Sequence, residues 1–162
     1  MRLALVVIAL TLVAGGAAAQ AAAPAPPPHA IIALPDKVVF GPAPDILPAG
    51  AKLAVLEGNP FETGPFTMRL SVPDGYRIPP HSHPFVEHVT VVKGTFKVGM
   101  GEKFDASAMT ALPMGTFAAL APGVRHFAQA EGETVLQLHG NGPWSLVYVN
   151  PADDPRQRGA TP

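Results

Sequence analysis

Residues 75–94 read GYRIPPHSHPFVEHVTVVKG, and this stretch carries both the fold signal and the first candidate site residues. His81 and His83 lie two residues apart, so on a β-strand both imidazoles point to the same face of the sheet. Glu87 follows after a Pro-Phe pair, which predicts a turn and a return on a neighbouring strand. The spacing therefore predicts two imidazoles and one carboxylate that are able to face the interior of a β-structure.

A third histidine extends this group. His126 follows a Pro-Gly turn signal and opens a further predicted strand. Three neutral imidazoles and one carboxylate suit a divalent transition metal, which could be Fe, Mn, Co, Ni, Cu or Zn. One carboxylate offsets only part of the metal charge and leaves positions for water, substrate or dioxygen. The alternative is a set of buried polar fillers without metal, although an unpaired buried glutamate among apolar strands is costly.

Short apolar or alternating runs between turn signals occupy most of the chain from Ile31 onward. The 20 prolines and 16 glycines interrupt the chain too often for long helices, which excludes a helical bundle. This pattern predicts an all-β sandwich or barrel, with one helical turn at most in residues 106–111. The predicted strands are residues 37–40, 52–57, 66–72, 87–93, 95–100, 116–120, 126–130, 134–139 and 145–150.

Two glycine-containing motifs resemble those of a known family. The pattern G-x5-H-x-H-x3-E-x6-G over residues 75–94 matches the first motif of the cupin superfamily at every defined position. The pattern G-x5-A-P-G-x2-H over residues 115–126 is similar to the second motif. It departs from that motif at Ala121, where the family usually has proline, and Ala130 stands where the family often has asparagine.

The resemblance implies an all-β fold, the double-stranded β-helix or jelly-roll barrel of cupins. It also implies one interior metal held by His81, His83, Glu87 and His126, with Glu87 as a candidate catalytic base. Cupins catalyse several reactions and some only bind ligands, so the fold does not name the reaction. Two hypotheses follow: a metal-dependent oxidase or oxygenase acting on a small organic molecule, or a non-catalytic sensor or carrier module that binds a metal or small ligand.

Three further polar residues are weaker candidates. Gln137 and His139 share one face of a predicted strand, and if that face is inward they line a substrate pocket. The alternative for His139 is a turn position at the end of the strand. His88 neighbours Glu87, so strand alternation predicts that it lies on the opposite, outer face.

Composition narrows the function classes. The chain has no cysteine, which excludes disulfides, thiolate nucleophiles and cysteine-ligated metal sites. A formal net charge of -1 argues against a nucleic-acid partner, which normally requires a basic face. The expected partner is a small molecule, and the resemblance adds a homodimer formed through sheet edges as an expectation.

The N-terminus has the layout of a secretory signal. Arg2 precedes an apolar run over residues 3–14, and an Ala-Ala-Ala sequence predicts cleavage after Ala19. The apolar run is too short to span a membrane. We therefore expect an exported protein, periplasmic or extracellular. The predicted organisation is a signal peptide (1–19), an Ala/Pro-rich linker (20–30), a barrel domain (31–150) and a flexible tail (151–162).

Overall fold

A computed structural model describes residues 30–157 of the 162-residue chain. The predicted signal peptide, almost all of the predicted linker and the last five residues lie outside the described residues. Nine strands form between residues 30 and 157. They are β1 (Gly41–Pro42), β2 (Lys52–Glu57), β3 (Gly64–Val72), β4 (Arg77–Ser82), β5 (Glu87–Met100), β6 (Thr110–Pro113), β7 (Phe117–Leu120), β8 (His126–Gly142) and β9 (Val147–Tyr148).

The described part of the chain has no α-helix, which confirms the all-β class. Four short 3-10 helices complete it: Pro35–Lys37, Ala106–Ala108, Pro151–Asp153 and Pro155–Gln157. Within the same residues, no helix has the length and apolar character needed to cross a membrane.

Every strand pair is antiparallel, and the two long strands β5 and β8 organise the sheet. They pair with each other from His88↔His139 to Met100↔His126. On its other edge, β8 pairs with β3 through its second half and with β4 through its first half. β5 likewise pairs with β7 at its start and with β6 near its end. Because each long strand serves two sets of partners, the sheet curls around one interior.

Gly94 explains why sequence patterns split the two long strands into shorter ones. Residues 87–93 and 95–100 form one strand, although Gly94 adopts a φ of +79° that is typical of a break. The pairing with β8 shifts register at this point, so the residue forms a bulge instead of a turn. A Cβ at Gly94 would lie 2.6 Å from the Glu133 carbonyl oxygen, which leaves room only for glycine.

The same bulge affects the partner strand. Residues 126–130 and 134–139, predicted as two strands, belong to the single strand β8. Gly132 has a φ of +72° within it, and its N–H donates to the Asp74 carboxylate at 2.7 Å. β8 therefore continues through Gly132, and the Asp74 side chain from the β3–β4 turn stabilises the backbone conformation there.

Three other predicted elements differ from the structure. Residues 37–40 do not form a strand, because Val39 is 84% exposed and this segment has no pairing partner. Residues 106–111 contain the expected helical turn, capped by the Asp105 carboxylate, but they continue into β6. The last predicted strand, residues 145–150, is reduced to the two residues of β9.

The core lies inside the curled sheet and follows the alternation of the strands. In β3 every second residue is buried, and the inward side chains of β5 and β8 pack against this row. The residues that these three strands contribute to the hydrophobic core are Phe66, Met68, Leu70, Val72, Val89, Val91, Phe96, Ala128, Ala130, Leu136 and Leu138.

Two tyrosines hold the segment between β1 and β2 against this core. The Tyr148 hydroxyl donates to the Ile46 carbonyl at 2.7 Å, and the Tyr76 hydroxyl donates to the Pro48 carbonyl at 2.6 Å. Leu47 lies between these anchor points, is 3% exposed and packs into the interior. The segment therefore closes the barrel near the candidate site.

Residues 151–157, the described part of the predicted tail, form two 3-10 helices. The Arg156 guanidinium donates to the Asp154 carboxylate at 2.7 and 2.8 Å and to the Leu146 carbonyl at 3.3 Å. These contacts attach the start of the tail to the segment before β9. Flexibility of the predicted tail, residues 151–162, stays a prediction.

Candidate metal centre

The four predicted ligands come from three strand ends that the sheet brings together. His81 lies near the end of β4, and His83 follows that strand directly. Glu87 opens β5 and His126 opens β8. His81 and His126 are direct partners across the β4–β8 pair, which places their side chains next to each other.

The three imidazoles and the carboxylate form one compact, buried group. One ring nitrogen from each of His81, His83 and His126 lies within 4.8 Å of the others, so the three histidines could hold a metal ion. Their exposed fractions are 2%, 5% and 4%. The nearer Glu87 carboxylate oxygen, Oε2, is 3.3 Å from His83 Nε2 and 3.5 Å from His126 Nε2.

A backbone carbonyl orients each imidazole. A carbonyl oxygen only accepts hydrogen bonds, so Nδ1 of each ring must be the donor and carry the proton. In the neutral ring, Nε2 is then a bare lone pair, the form in which histidine binds metals. The three bonds are His81 Nδ1 to Pro79 O at 2.8 Å, His83 Nδ1 to Ser145 O at 2.7 Å and His126 Nδ1 to Val124 O at 3.1 Å.

The contact between His83 and Glu87 tests whether a cation fits this group. His83 Nε2 is buried and has no hydrogen-bond partner among the described residues. With Nδ1 protonated, its lone pair faces a carboxylate oxygen 3.3 Å away, and two acceptors at that distance repel each other. A proton or a metal cation between the two atoms removes the repulsion, so the donor set fits a metal.

The ionisation states agree with this interpretation. Burial, followed by the neighbouring His126 and His83, lowers the pKa of His81 to about 3, so its ring is neutral near pH 7. Burial by itself raises the pKa of Glu87, but the protonated rings of His126 and His83, which donate to the carboxylate from Nε2, outweigh burial and hold that pKa well below its usual range. Burial lowers the pKa of His83, but the hydrogen bond that a protonated Nε2 donates to Glu87 and the charge of Glu87 outweigh burial and raise it. The group therefore combines an ionised carboxylate with rings that bind either a proton or a metal.

The cavity above these side chains is narrow and apolar. Its volume is about 30 Å³, which is room for one or two water molecules. Apart from the four candidate ligands and Trp144, its walls are aliphatic or phenyl side chains: Leu47, Leu70, Ile78, Val89, Phe96, Val98, Leu112, Ala118, Leu120, Ala128, Leu136, Leu138 and Leu146. The polar end of the cavity is therefore the one formed by the four candidate ligands and Trp144.

Gln137 and His139 do not line this cavity, and their role as substrate-pocket residues stays a prediction. Their neighbours Leu136 and Leu138 occupy the inward positions of β8, so alternation turns Gln137 and His139 outward. Gln137 accepts a hydrogen bond from Arg69 Nε at 3.2 Å. His139 borders only a smaller space beside the cavity.

His88 lies on the outer face, as the alternation predicts. Its ring stacks on that of His139, with 4.9 Å between the centroids and an angle of 9°. Phe117, on the neighbouring strand β7, stacks on the same His88 ring with 5.9 Å between the centroids. His88 and His139 therefore belong to an aromatic stack on the outside of the sheet and are separate from the candidate ligands.

Trp144 is the site residue that strand patterns missed. It lies in the loop between β8 and β9, and its ring stacks on His83 with 6.1 Å between centroids and an angle of 20°. Trp144 is the single tryptophan of the chain. Only the structure shows that the next residue, Ser145, supplies the carbonyl that orients His83.

Several solved structures have the same fold. An RmlC-like cupin from Shewanella frigidimarina NCIMB 400 has a TM-score of 0.52 at 17% identity, covering 67% of this chain and 87% of that one. An acetylacetone dioxygenase from Acinetobacter johnsonii has a TM-score of 0.60 at 16% identity, covering 83% and 87%. The polyketide cyclase RemF from Streptomyces resistomycificus has a TM-score of 0.58 at 14% identity, covering 81% and 93%.

These similarities define the fold. The fold is the jelly-roll barrel of cupins, which confirms the resemblance inferred from the two motifs. No protein-family model matches the sequence, and no curated protein matches it. At these identities the likeness establishes the fold, and the activity must be argued from the site.

Proposed function

We propose that this chain is an exported cupin enzyme that holds one divalent transition metal through His81, His83, His126 and Glu87. We further propose that it acts as an oxidase or oxygenase on a small organic molecule. The observation that carries this proposal is the orientation of the rings. Each Nδ1 is committed to a backbone carbonyl, which leaves the Nε2 atoms of His83 and His126 facing an ionised carboxylate.

The charge of the donor set favours an oxygen-bearing ligand. Three neutral imidazoles and one carboxylate leave a divalent ion with a net positive charge, which attracts anionic oxygen. When bound, such a metal polarises a coordinated oxygen atom and offers an adjacent position for dioxygen. Glu87 is also the candidate base, because it is the carboxylate that borders the cavity. The apolar walls exclude bulk water from this end of the barrel.

Two fold neighbours support the enzymatic hypothesis by analogy. One is an acetylacetone dioxygenase and the other a polyketide cyclase, and both names denote enzymes that act on small organic molecules. The analogy is at the level of fold and supports a class of substrate, not a reaction.

A specific observation favours the second hypothesis, a non-catalytic binding module. The cavity of about 30 Å³ holds little more than water, and the candidate ligands and Trp144 supply all of its polar side-chain atoms in the described chain. Enzyme pockets usually add a few placed polar groups to the metal ligands. A module that carries the metal itself, or captures a small ligand on it, needs no more than this.

Export is part of the proposal and rests on the sequence of residues 1–19. The expected mature N-terminus is Gln20. N-terminal sequencing of protein recovered from the periplasm or medium tests this, and retention of Met1 in the cytoplasm contradicts it.

We expect the purified protein to contain about one equivalent of a first-row divalent metal and to lose it as the pH falls through about 6 or somewhat below. The sign follows from competition, because a proton on Nε2 occupies the lone pair that binds the metal. Elemental analysis of protein dialysed at a series of pH values measures this. Metal content that stays unchanged down to about pH 4 contradicts histidine ligation.

Oxygen consumption distinguishes the two functional hypotheses. We expect the metal-loaded protein to consume dioxygen with at least one compound from a panel of small diols, dicarboxylates and thiols. The same protein stripped of metal serves as the control. Tight binding of a panel compound without turnover supports the binding module and contradicts the enzyme.

A further inference from the structure

Trp144 has a polar group that the packing of the protein does not use. The side chain is 8% exposed, and its Nε1 is buried without a hydrogen-bond partner among the described residues. Buried N–H groups are rarely left without an acceptor, because their desolvation is then uncompensated. Stacking on His83 does not account for the N–H, since a phenylalanine ring could also stack there.

The indole is held firmly at the site. The Trp144 backbone N–H donates to the Pro60 carbonyl at 2.6 Å, and the next residue, Ser145, accepts the hydrogen bond from His83 Nδ1. The ring borders both the metal-facing cavity and the smaller space beside it. Its position is therefore fixed relative to the candidate metal ligand His83.

We infer that the Trp144 Nε1–H is the hydrogen-bond donor for an anionic oxygen of the ligand, and that the site selects a carboxylate or enolate no larger than acetate. This inference rests on the metal site proposed above. The metal and the indole N–H together recognise the oxygen end of the ligand. The cavity of about 30 Å³ admits little beyond that end, and a second polar group against the aliphatic walls would lose its water without replacement.

The single tryptophan makes the inference testable by direct observation. Protein labelled with ¹⁵N-tryptophan and loaded with Zn(II), which is diamagnetic, shows one indole N–H resonance. The probes are acetate, butyrate and the neutral 1-butanol. We expect the indole proton to move downfield with acetate, butyrate to bind more weakly than acetate because the cavity is too small for its propyl chain, and 1-butanol to bind most weakly.

Replacement of the indole N–H gives the matched control. Growth of a tryptophan auxotroph on β-(3-benzothienyl)alanine changes only residue 144 and replaces the N–H by sulfur at nearly constant size. We expect acetate affinity to fall by about tenfold while zinc content is retained. Protein made with 5-fluorotryptophan keeps the N–H and is expected to bind acetate within about twofold of the unmodified protein. Trp144→Phe should follow the sulfur isostere.

The outcomes separate this inference from the metal site. Loss of zinc by the unmodified protein contradicts the proposed function. If zinc is retained, the donor role is overturned by an indole resonance that does not move at saturating acetate, or by an isostere that binds acetate undiminished. Failure of acetate to bind zinc-loaded protein overturns the ligand class.

Discussion

Substituting His83 by alanine is expected to reduce the metal content of the purified protein from about one equivalent to nearly none. Loss of groups that only orient a ligand typically costs about 10–100-fold in metal affinity, so removal of a ligand itself should cost more. The substitution also leaves Glu87 without one of its two imidazole neighbours. Elemental analysis after dialysis against a weak chelator measures the change.

The outer histidines provide the control for this prediction. His88→Ala and His139→Ala remove imidazoles of the stack on the opposite face of the sheet, so both variants should retain metal like the unmodified protein. Circular dichroism and thermal melting of His83→Ala verify that the barrel is folded. A folded His83→Ala variant with full metal content would reject the proposed ligand set.

Phe127→Ala is expected to destabilise the fold by about 3–5 kcal/mol, a large part of the total stability of a domain of this size. Phe127 is 1% exposed and lies opposite Gly99 on β5, where the missing Cβ makes room for its ring. Phe104 covers the ring from the following loop at 5.2 Å. Thermal unfolding should show a decrease in Tm of about 10 °C.

Phe117→Ala is the matched control, because it removes the same side chain from a position that is 57% exposed. Its expected cost is about 1 kcal/mol or less, mainly from the lost stacking on His88. Similar losses of stability in the two variants would contradict the packing described for Phe127. Because His126 precedes Phe127, metal content should be measured in parallel, so that a loss of metal is not mistaken for a loss of packing.

Local patterns predicted the candidate site better than they predicted the strands. The spacing of His81, His83 and Glu87 and the Pro-Gly signal before His126 identified four residues that the structure brings together. Their ligand role stays a proposal. The motif was specific for two reasons. Histidine and glutamate are uncommon among the apolar residues of the predicted strands, and no other part of the sequence combines histidines and a glutamate at this spacing.

Glycine was the main source of error in the strand boundaries. Gly94 has the sequence context of a turn, and only the shifted pairing of its neighbours Lys93 and Thr95 with β8 shows that it is a bulge inside β5. A positive φ is compatible with either structure, so the residue type cannot decide between them. Local patterns also left the direction of the Gln137 and His139 side chains undecided. Alternation predicts that they share a face, but the packing of Leu136 and Leu138 decides which face it is.

The sequence by itself determined the all-β class, the cupin motifs and the identity of the four candidate ligands, because these depend on residue type and short-range spacing. The tertiary structure alone decided the tautomers of the three imidazoles, the narrow apolar cavity and the place of Trp144 beside His83. His81 and His126 bond carbonyls two residues earlier, a geometry set by the local backbone, whereas the bond of His83 to Ser145, the cavity walls and the place of Trp144 arise from contacts between residues far apart in the chain. Trp144 and His83 are 61 positions apart, and no local periodicity predicts which loop closes over which strand end.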